Sequence, residues 1–175
     1  MMIRKAEAAD LPAIRKIHDA AFGGPGEGRL VADLAADGLD TLSLVAIEDE
    51  AVVGHVLFSP LLVEVDGKAI RALALAPLGI APAYQRRGIG QLLARAGLAE
   101  ARALGWDAVI VLGHPEYYGK FGFRAALTAG FKAPFQGPAF MGLELRAGAL
   151  SGEKGRIIYP VSFGIDEGEG VSAGA

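Results

Sequence analysis

Hydrophobic positions along this chain change period several times, and each change predicts a different element. A short apolar-leaning run at residues 3–7 predicts a first strand. Behind Asp10 and Pro12, the residues Leu11, Ile14, Ile17, Ala21 and Phe22 recur at three- and four-residue spacing. That is one face of a helix, with Asp10 as its N-cap and His18 on the outward side. Gly23-Gly24-Pro25-Gly26 must stop it. A second short helix carries Leu30, Val31 and Leu34 and ends near Gly38.

The period then drops to two. Residues 42–47 and 52–59 read as strands around the polar turn Glu48-Asp49-Glu50. Residues 61–65 and 68–73 flank Asp66-Gly67, the pair expected of a type I′ hairpin. The stretch 72–81 has no ionisable side chain, as expected of a strand buried on both faces. A loop with Pro82, Tyr84 and Gln85 leads into a helix whose apolar stripe is Ile89, Leu92, Leu93, Ala96, Ala103 and Leu104, closed by Gly105. Residues 107–112 return as a strand, so strand, helix and strand form a parallel βαβ unit. A short helix at 115–120 comes next, then further strand pieces, 142–145 among them. The fold class is α/β (α+β): a mixed, mostly antiparallel sheet flanked by helices, in one domain over residues 1–165. The acidic, Gly-rich tail 166–175 is read as disordered.

Composition narrows the chemistry. The 175 residues include no cysteine, which removes disulfides, thiolate metal sites and a cysteine nucleophile. The three histidines are dispersed, so no metal site is expected. Lys and Arg number 17 against 20 Asp and Glu, a formal charge of −3, which argues against a broad basic face for nucleic acid or anionic membrane. The start, MMIRKAEAAD, lacks the apolar core of a signal peptide, and no run approaches the ~18 apolar residues of a membrane span. A cytoplasmic protein is expected.

The most informative segment is Gln85-Arg86-Arg87-Gly88-Ile89-Gly90, between a buried strand and a long helix. A helix start leaves about four backbone N–H groups unpaired at the positive end of its dipole. Glycines at 88 and 90 let a phosphate approach that backbone, and Arg86 and Arg87 add charge at the rim. A kinase-type P-loop is excluded because Gly90-Gln91-Leu92 stands where Gly-Lys-Ser/Thr is needed. A dinucleotide fingerprint is excluded because its third glycine position holds Leu93, and Asp107 precedes its strand instead of ending it. An anion cradle for a pyrophosphate remains, with a plain tight turn as the bland alternative.

These residues carry a resemblance. The block LGIAPAYQRRGIGQLL at 78–93 resembles the acetyl-CoA-binding motif of the GNAT superfamily of N-acetyltransferases, with its Q-x-x-G-x-G core on Gln85, Gly88 and Gly90. Downstream, Tyr117-Tyr118-Gly119-Lys120-Phe121-Gly122-Phe123 resembles the family's Tyr-x-x-x-Gly-Phe ending. With the N-terminal helix pair and the hairpins, the likeness covers residues 1–147. It implies acetyl-CoA as cosubstrate, no metal, and direct attack by an amine of a small molecule or peptide within a ternary complex. It also implies a splayed parallel strand pair, and it allows a homodimer.

By the same resemblance, backbone amides of Arg86, Arg87, Gly88, Ile89 and Gly90 hold the pyrophosphate. The pantetheine arm pairs with main chain near Leu78 and Ile80, and the amide of Leu78 or its neighbour polarises the acetyl carbonyl. Tyr118, four residues before Gly122, falls where the family carries its general acid; its alternative is a core aromatic beside Phe121 and Phe123. The chain departs from the family on the central strand, where many members place a glutamate and residues 72–81 are all apolar, Gly or Pro. Glu27, expected in the loop between the first two helices, is the leading base, with His55, His114, Glu116 or a water chain as alternatives. His55 also reads as a hydrogen-bonded sheet histidine, and His114 as a helix cap. Asp33, Asp37 and Asp40 read as a solvated helix face. Residues 124–164, with Phe131, Pro134, Phe135, Pro138, Phe140 and Tyr159, either cover the acceptor end or complete the core. An acyl-CoA-binding sensor without turnover is the competing function class.

Overall fold

Strand β1 (Met2–Lys5) pairs antiparallel with β2 (Leu42–Glu48), and two tight turns carry the chain from β2 into the next two strands. Asp49 (φ 49°) and Glu50 (φ 63°) join β2 to β3 (Ala51–Val65), and Asp66 (φ 50°) and Gly67 (φ 79°) join β3 to β4 (Lys68–Ile80). Positive φ at both central residues matches the twist of the flanking strands, so the chemistry read at Asp66-Gly67 recurs one turn earlier. The runs expected as separate strands at 52–59 and 61–65 are one strand of 15 residues. Pro60 lacks only an N–H and its fixed φ is compatible with extended backbone, so it does not break the strand. Beyond it, β3 has a new partner, and Leu62 faces Ile158.

The computed structural model describes residues 1–165 together with Val171 and Ser172. Their hydrogen-bonded strand order is β1-β2-β3-β4-β5-β8, with β5 at Ala108–Leu112 and β8 at Phe140–Glu144. The sheet is mixed and mostly antiparallel. Its β4–β5 ladder is parallel and covers Ala72–Ala74 against Ala108–Ile110, after which β4 runs on to Ile80. Two short strands, β6 (Phe131–Lys132) and β9 (Gly155–Ile158), also pair in parallel. Of the tail read as disordered, residues 166–170 and 173–175 lie outside the described residues. Val171–Ser172 forms a short strand alongside Phe135–Gln136.

The chain divides into two units, Met1–Ser59 with Leu75–Glu100, and Pro60–Ala74 with the described residues from Ala101 on. The first contains helices α1 (Leu11–Phe22) and α2 (Gly26–Ala36) and most of α3 (Ile89–Ala103). Ile14, Ile17, Val31 and Leu34 are buried, as the helical spacing requires. The cap and face of α1 differ from expectation. The Asp10 side chain makes no cap bond to α1; it accepts the Glu7 N–H at 2.7 Å and pairs with Arg4 at 2.7 Å. Leu11 and Phe22 are exposed, and His18 is fully buried. His18 lies four residues after Ile14 and so shares its face. The outward placement expected from the period misjudges the helix phase, because the face through Ile14 and His18 is the buried one.

On α3 the buried stripe is Ile89, Leu93, Ala94, Leu98 and Ala101, whereas Leu92 and Leu104 are half exposed. The phase is set by Gly97, whose missing side chain admits the fully buried Phe58 ring of β3. The second unit's core gathers Leu61, Val63, Ile110, Phe131, Phe140 and Ile157. Phe135 and Tyr159 pack edge-on there at 5.5 Å, so the aromatic segment 124–164 completes a core. No helix among the described residues is long and apolar enough to cross a membrane.

Gly97→Ala should therefore destabilise the protein, because the added methyl would overlap the Phe58 ring. Overpacking of this kind costs about 1–3 kcal/mol, readable as a lower urea midpoint. Gly24→Ala, with no atom within 4 Å of the new methyl, is the control and should be near neutral.

Candidate functional site

The segment before α3 has backbone geometry of the kind expected of an anion cradle. Arg86 (φ 65°) and Gly88 (φ 79°) both adopt the left-handed conformation, with Arg87 between them on the ordinary side. Alternating hand turns successive N–H groups toward one concavity, the geometry of an anion-binding nest. For arginine that conformation is uncommon and costs energy, a cost that concentrates at functional sites. The helical ladder opens with the Leu92 N–H bonded to the Gly88 carbonyl at 3.1 Å, so the amides before it point out of the helix end. A Cβ on Gly88 would meet nothing within 4 Å, which leaves the approach to those amides open. Arg87 lies over the Tyr84 ring at 5.2 Å. The Gln85 side chain points back, its Nε2 donating to the Ile80 carbonyl at 3.0 Å. Gln85 thus fastens the loop to the end of β4.

That end of β4 is held from two sides. Gly54 on β3 leaves space for the Ile80 side chain, beside Leu93 and Ile89 of α3. The Ala81 N–H donates to the Val53 carbonyl at 2.8 Å. At Gly79 the neighbour is an imidazole, and a Cβ there would stand 2.6 Å from His18 Nδ1. His18 Nε2 lies 2.8 Å from His55 Nδ1, and His55 Nε2 lies 2.8 Å from Ser43 Oγ. His55 is thus a hydrogen-bonded sheet histidine. Burial pushes His18 down to about 4, against a smaller opposing pull from Asp19. Burial pushes His55 down to about 3, with the His18 ring adding to the drop and Asp10 opposing it. Both rings are neutral near pH 7. His18, Ser43 and Gly79 are the residues that sequence reasoning misses. The usable signal is the isolated glycine in the apolar run 72–81, since a strand glycine marks a close backbone approach.

Tyr118 belongs to the second unit. It ends α4 (Pro115–Tyr118), a single turn entered through the N-cap residue His114. Gly113, at the end of β5, has no side chain because the Tyr118 ring occupies that space. Phe123 and Tyr117 pack edge-on against the ring at 5.8 and 5.0 Å. Burial, and secondarily Tyr117, raises the Tyr118 pKa above the ordinary phenol value, so its hydroxyl stays protonated. Core packing and a protonated hydroxyl coexist in this residue.

The other candidates are dispersed. Glu27 is in the first turn of α2, not in the preceding loop, where its charge favours the helix start. His114 is exposed and makes no side-chain cap bond; Glu116 is exposed in the first turn of α4. Asp33, Asp37 and Asp40 are exposed. Asp107 accepts the Arg71 N–H at 2.9 Å and Arg146 Nε at 3.0 Å. Burial pushes its carboxyl up, but those donors outweigh it and hold it below the ordinary range. Its role is to tie β4 and β5 to the segment after β8. No cluster of three or more His, Cys, Asp or Glu side chains suited to a metal occurs among the described residues.

Residues 2–126 match the acetyltransferase (GNAT) domain family. The chain is 36% identical over 166 residues to the uncharacterised N-acetyltransferase YhbS of Escherichia coli K12, covering 93% of this chain and 98% of that protein. Its fold is similar to the crystal structure of E. coli YhbS in complex with CoA, with TM-score 0.84 and 35% identity over 93% of this chain and 91% of that one. It is also similar to a GNAT family acetyltransferase from Brucella melitensis in complex with acetyl-CoA. There the TM-score is 0.77 and the identity 35%, over 93% of this chain and 97% of that one.

The buried imidazoles generate a pH dependence. Their folded pKa values lie below the ordinary 6.5, so on acidification the unfolded chain takes up protons first. Stability is then full above about pH 6.5 and falls as pH drops toward 4, by up to about 1.4 kcal/mol per pH unit for each ring. Asp10, held low chiefly by its bond to Arg4, titrates below that window. Urea unfolding at about pH 7 and about pH 5 should show the loss, and His55→Asn should make the slope shallower.

Proposed function

Because the chain belongs to the GNAT acetyltransferase family, we propose that it moves the acetyl group of acetyl-CoA to an amine by direct attack in a ternary complex. The observation that carries this reading is the loop 85–90. Its left-handed Arg86 and Gly88 open α3, and its Gln85 is anchored on Ile80. The same family includes the two relatives whose crystal structures hold CoA and acetyl-CoA.

In this reading the amides of Arg86 to Gly90 take the pyrophosphate, and the arginine side chains add charge at the rim. Main-chain groups of Leu78 and Ile80 take the pantetheine arm, and the Leu78 amide donates to the acetyl oxygen as it becomes an oxyanion. Donors of this type are commonly worth a few kcal/mol of barrier. The amine nitrogen forms its bond to the acetyl carbon, the carbon–sulfur bond breaks, and coenzyme A leaves as a thiolate. Tyr118 donates its hydroxyl hydrogen bond to that sulfur. With its pKa raised by burial, complete proton transfer to a thiolate of conjugate pKa about 8.5 is uphill, so stabilisation by the hydrogen bond is its main contribution. The surplus proton of the amine passes to Glu27 or to solvent water. The uncharged run 72–81 supports a second reading, an acyl-CoA sensor without turnover. Amine-dependent release of free coenzyme A separates the two, because a sensor would release none above background.

Coenzyme A should raise the melting temperature more than ATP or NAD does, since a ligand at 100 times its Kd adds about 2.7 kcal/mol. Gly88→Val should abolish most of that shift by placing a branched side chain at the mouth of the cradle in a left-handed conformation. An equal shift with NAD would defeat the assignment.

Tyr118→Phe keeps the ring against Gly113 and removes only the hydroxyl. It should lower kcat by about 10²-fold or more while the Kd for coenzyme A stays nearly constant. Wild-type turnover in this variant, with both a slow and a fast amine, would rule out the assigned role.

A further inference from the structure

The chain Ser43–His55–His18 ends on a polar atom that has no partner. His18 and His55 are fully buried, and His18 Nδ1 bonds to nothing among the described residues. Two neutral rings joined by two hydrogen bonds can be ordered in only two directions. If the hydrogens point inward, an orphaned N–H is left on His18, the costlier kind of unsatisfied group. The favoured order runs outward. His18 Nε2–H donates to His55 Nδ1, and His55 Nε2–H donates to Ser43 Oγ. His18 Nδ1 is then a bare lone pair facing the Cα of Gly79. A phenylalanine at position 18 would fill similar space, but it would leave His55 Nδ1 unpaired and could not be held in one orientation. Native chains carry few such buried groups, and each calls for a reason.

The reason lies in what the ring touches. Gly79 sits between Leu78 and Ile80, and its missing side chain is what lets the imidazole lie against the strand. On the other face, Ile80 is seated over Gly54 against Leu93 and Ile89. The imidazole is therefore the movable half of a clamp whose other half is plain hydrocarbon. A hydrocarbon ring at 18 could rotate about its side-chain bonds. An imidazole tied through His55 to Ser43 keeps one orientation. Asp10 and Asp19 are the charged groups acting on the pair, the first on His55 and the second on His18.

We propose that His18, oriented by His55 and Ser43, is a positioning residue for acetyl transfer, fixing the β4 backbone at Gly79 and through it the Leu78 amide that meets the acetyl oxygen. This rests on the function proposed above, because Leu78 matters only if the thioester lies along that strand. A misplacement of about 1 Å in such a donor can cost about 10²-fold in rate. Binding of the remote pyrophosphate is affected less, because the strand end that carries the 85–90 loop is also held by the Ala81–Val53 hydrogen bond and by Ile80 over Gly54, neither of which involves the ring. The effect therefore falls on kcat more than on the affinity for coenzyme A.

The test uses the full chain with acetyl-CoA and two amines, one fast and one slow. Wild type is measured first for stabilisation by coenzyme A and for amine-dependent release. Failure of both would overturn the proposed function and this inference with it. Given both, His18→Phe should melt near the wild-type temperature, because the unpaired buried nitrogen moves from His18 Nδ1 to His55 Nδ1 and the number of such atoms is unchanged. Its kcat should nevertheless fall about 10-fold or more, with the Kd for coenzyme A within about threefold of wild type. A merely structural histidine would instead show a lower melting temperature with kcat unchanged. That result, or a fully active His18→Phe at any stability, overturns the positioning role alone. Should His18→Phe fail to fold, Ser43→Ala decides. It frees the far end of the chain without touching His18, and it should lower kcat several-fold; unchanged kcat would overturn the proposal.

Discussion

The geometry of the first unit turns on how the last residues of β4 are held. Gly79 and Ile80 point to opposite faces, as successive strand residues must. One face receives an imidazole and the other closes over Gly54, while Gln85 and Ala81 tie the strand end by hydrogen bonds to Ile80 and Val53. Two glycines, on neighbouring strands, make these approaches possible. The strand end is also the starting point of the 85–90 loop, so its placement fixes where the cradle amides open. Gln85 bonds within the protein, which leaves the anion to the backbone N–H groups beyond it.

Much of this is legible in the sequence wherever a local rule has no competitor. Asp66-Gly67 can only be a tight turn, Gly105 (φ 82°) has to close α3, and the apolar run around Ala72–Leu75 has to be buried. The turn into α3 is legible because glycine between a strand and a helix marks backbone in the left-handed region, as Gly88 (φ 79°) shows. What fails are placements of single side chains. His18 reads as exposed by helical period, yet its four-residue spacing from Ile14 puts it inward. Asp10 reads as a helix cap, but an arginine six residues earlier captures its carboxylate. The phase of α3 escapes the pattern because Gly97 counts as nothing in a hydrophobic stripe, although it is where Phe58 seats. Pro60 reads as a strand break because the partner that extends β3 lies about a hundred residues downstream, beyond any local pattern.

The two units differ in how they use their interiors. The second packs Phe131, Phe135, Phe140 and Tyr159 into a dense aromatic core, with its charges kept at the rim, as in the Asp107–Arg146 pair. The first buries His18, His55 and Ser59, and three of its polar atoms (His18 Nδ1, Asp19 Oδ1 and Ser59 Oγ) have no hydrogen-bond partner among the described residues. Each such atom costs stability compared with an apolar replacement. An interior that keeps them is organised for something besides packing, and they occur in the unit that holds the cradle.

The uncharged run 72–81 also bears on the chemistry proposed for it. A carboxylate beside the thioester would oppose the negative charge that develops on the acetyl oxygen. In a poorly solvated site that repulsion is far larger than in water. Along residues 72–81 only backbone dipoles meet that charge, and the nearest titratable rings, His18 and His55, are held neutral by burial. Oxyanion stabilisation then rests on how well one amide is aimed, with no ion to correct a poor angle. In the proposed reaction the base lies off the strand, at a carboxylate such as Glu27 or in bulk water. An amine acceptor of pKa near 10.4 is protonated over a thousandfold at pH 7, so attack through this arrangement costs about 4 kcal/mol for the deprotonation alone. Acceptors with lower pKa values are spared most of that cost.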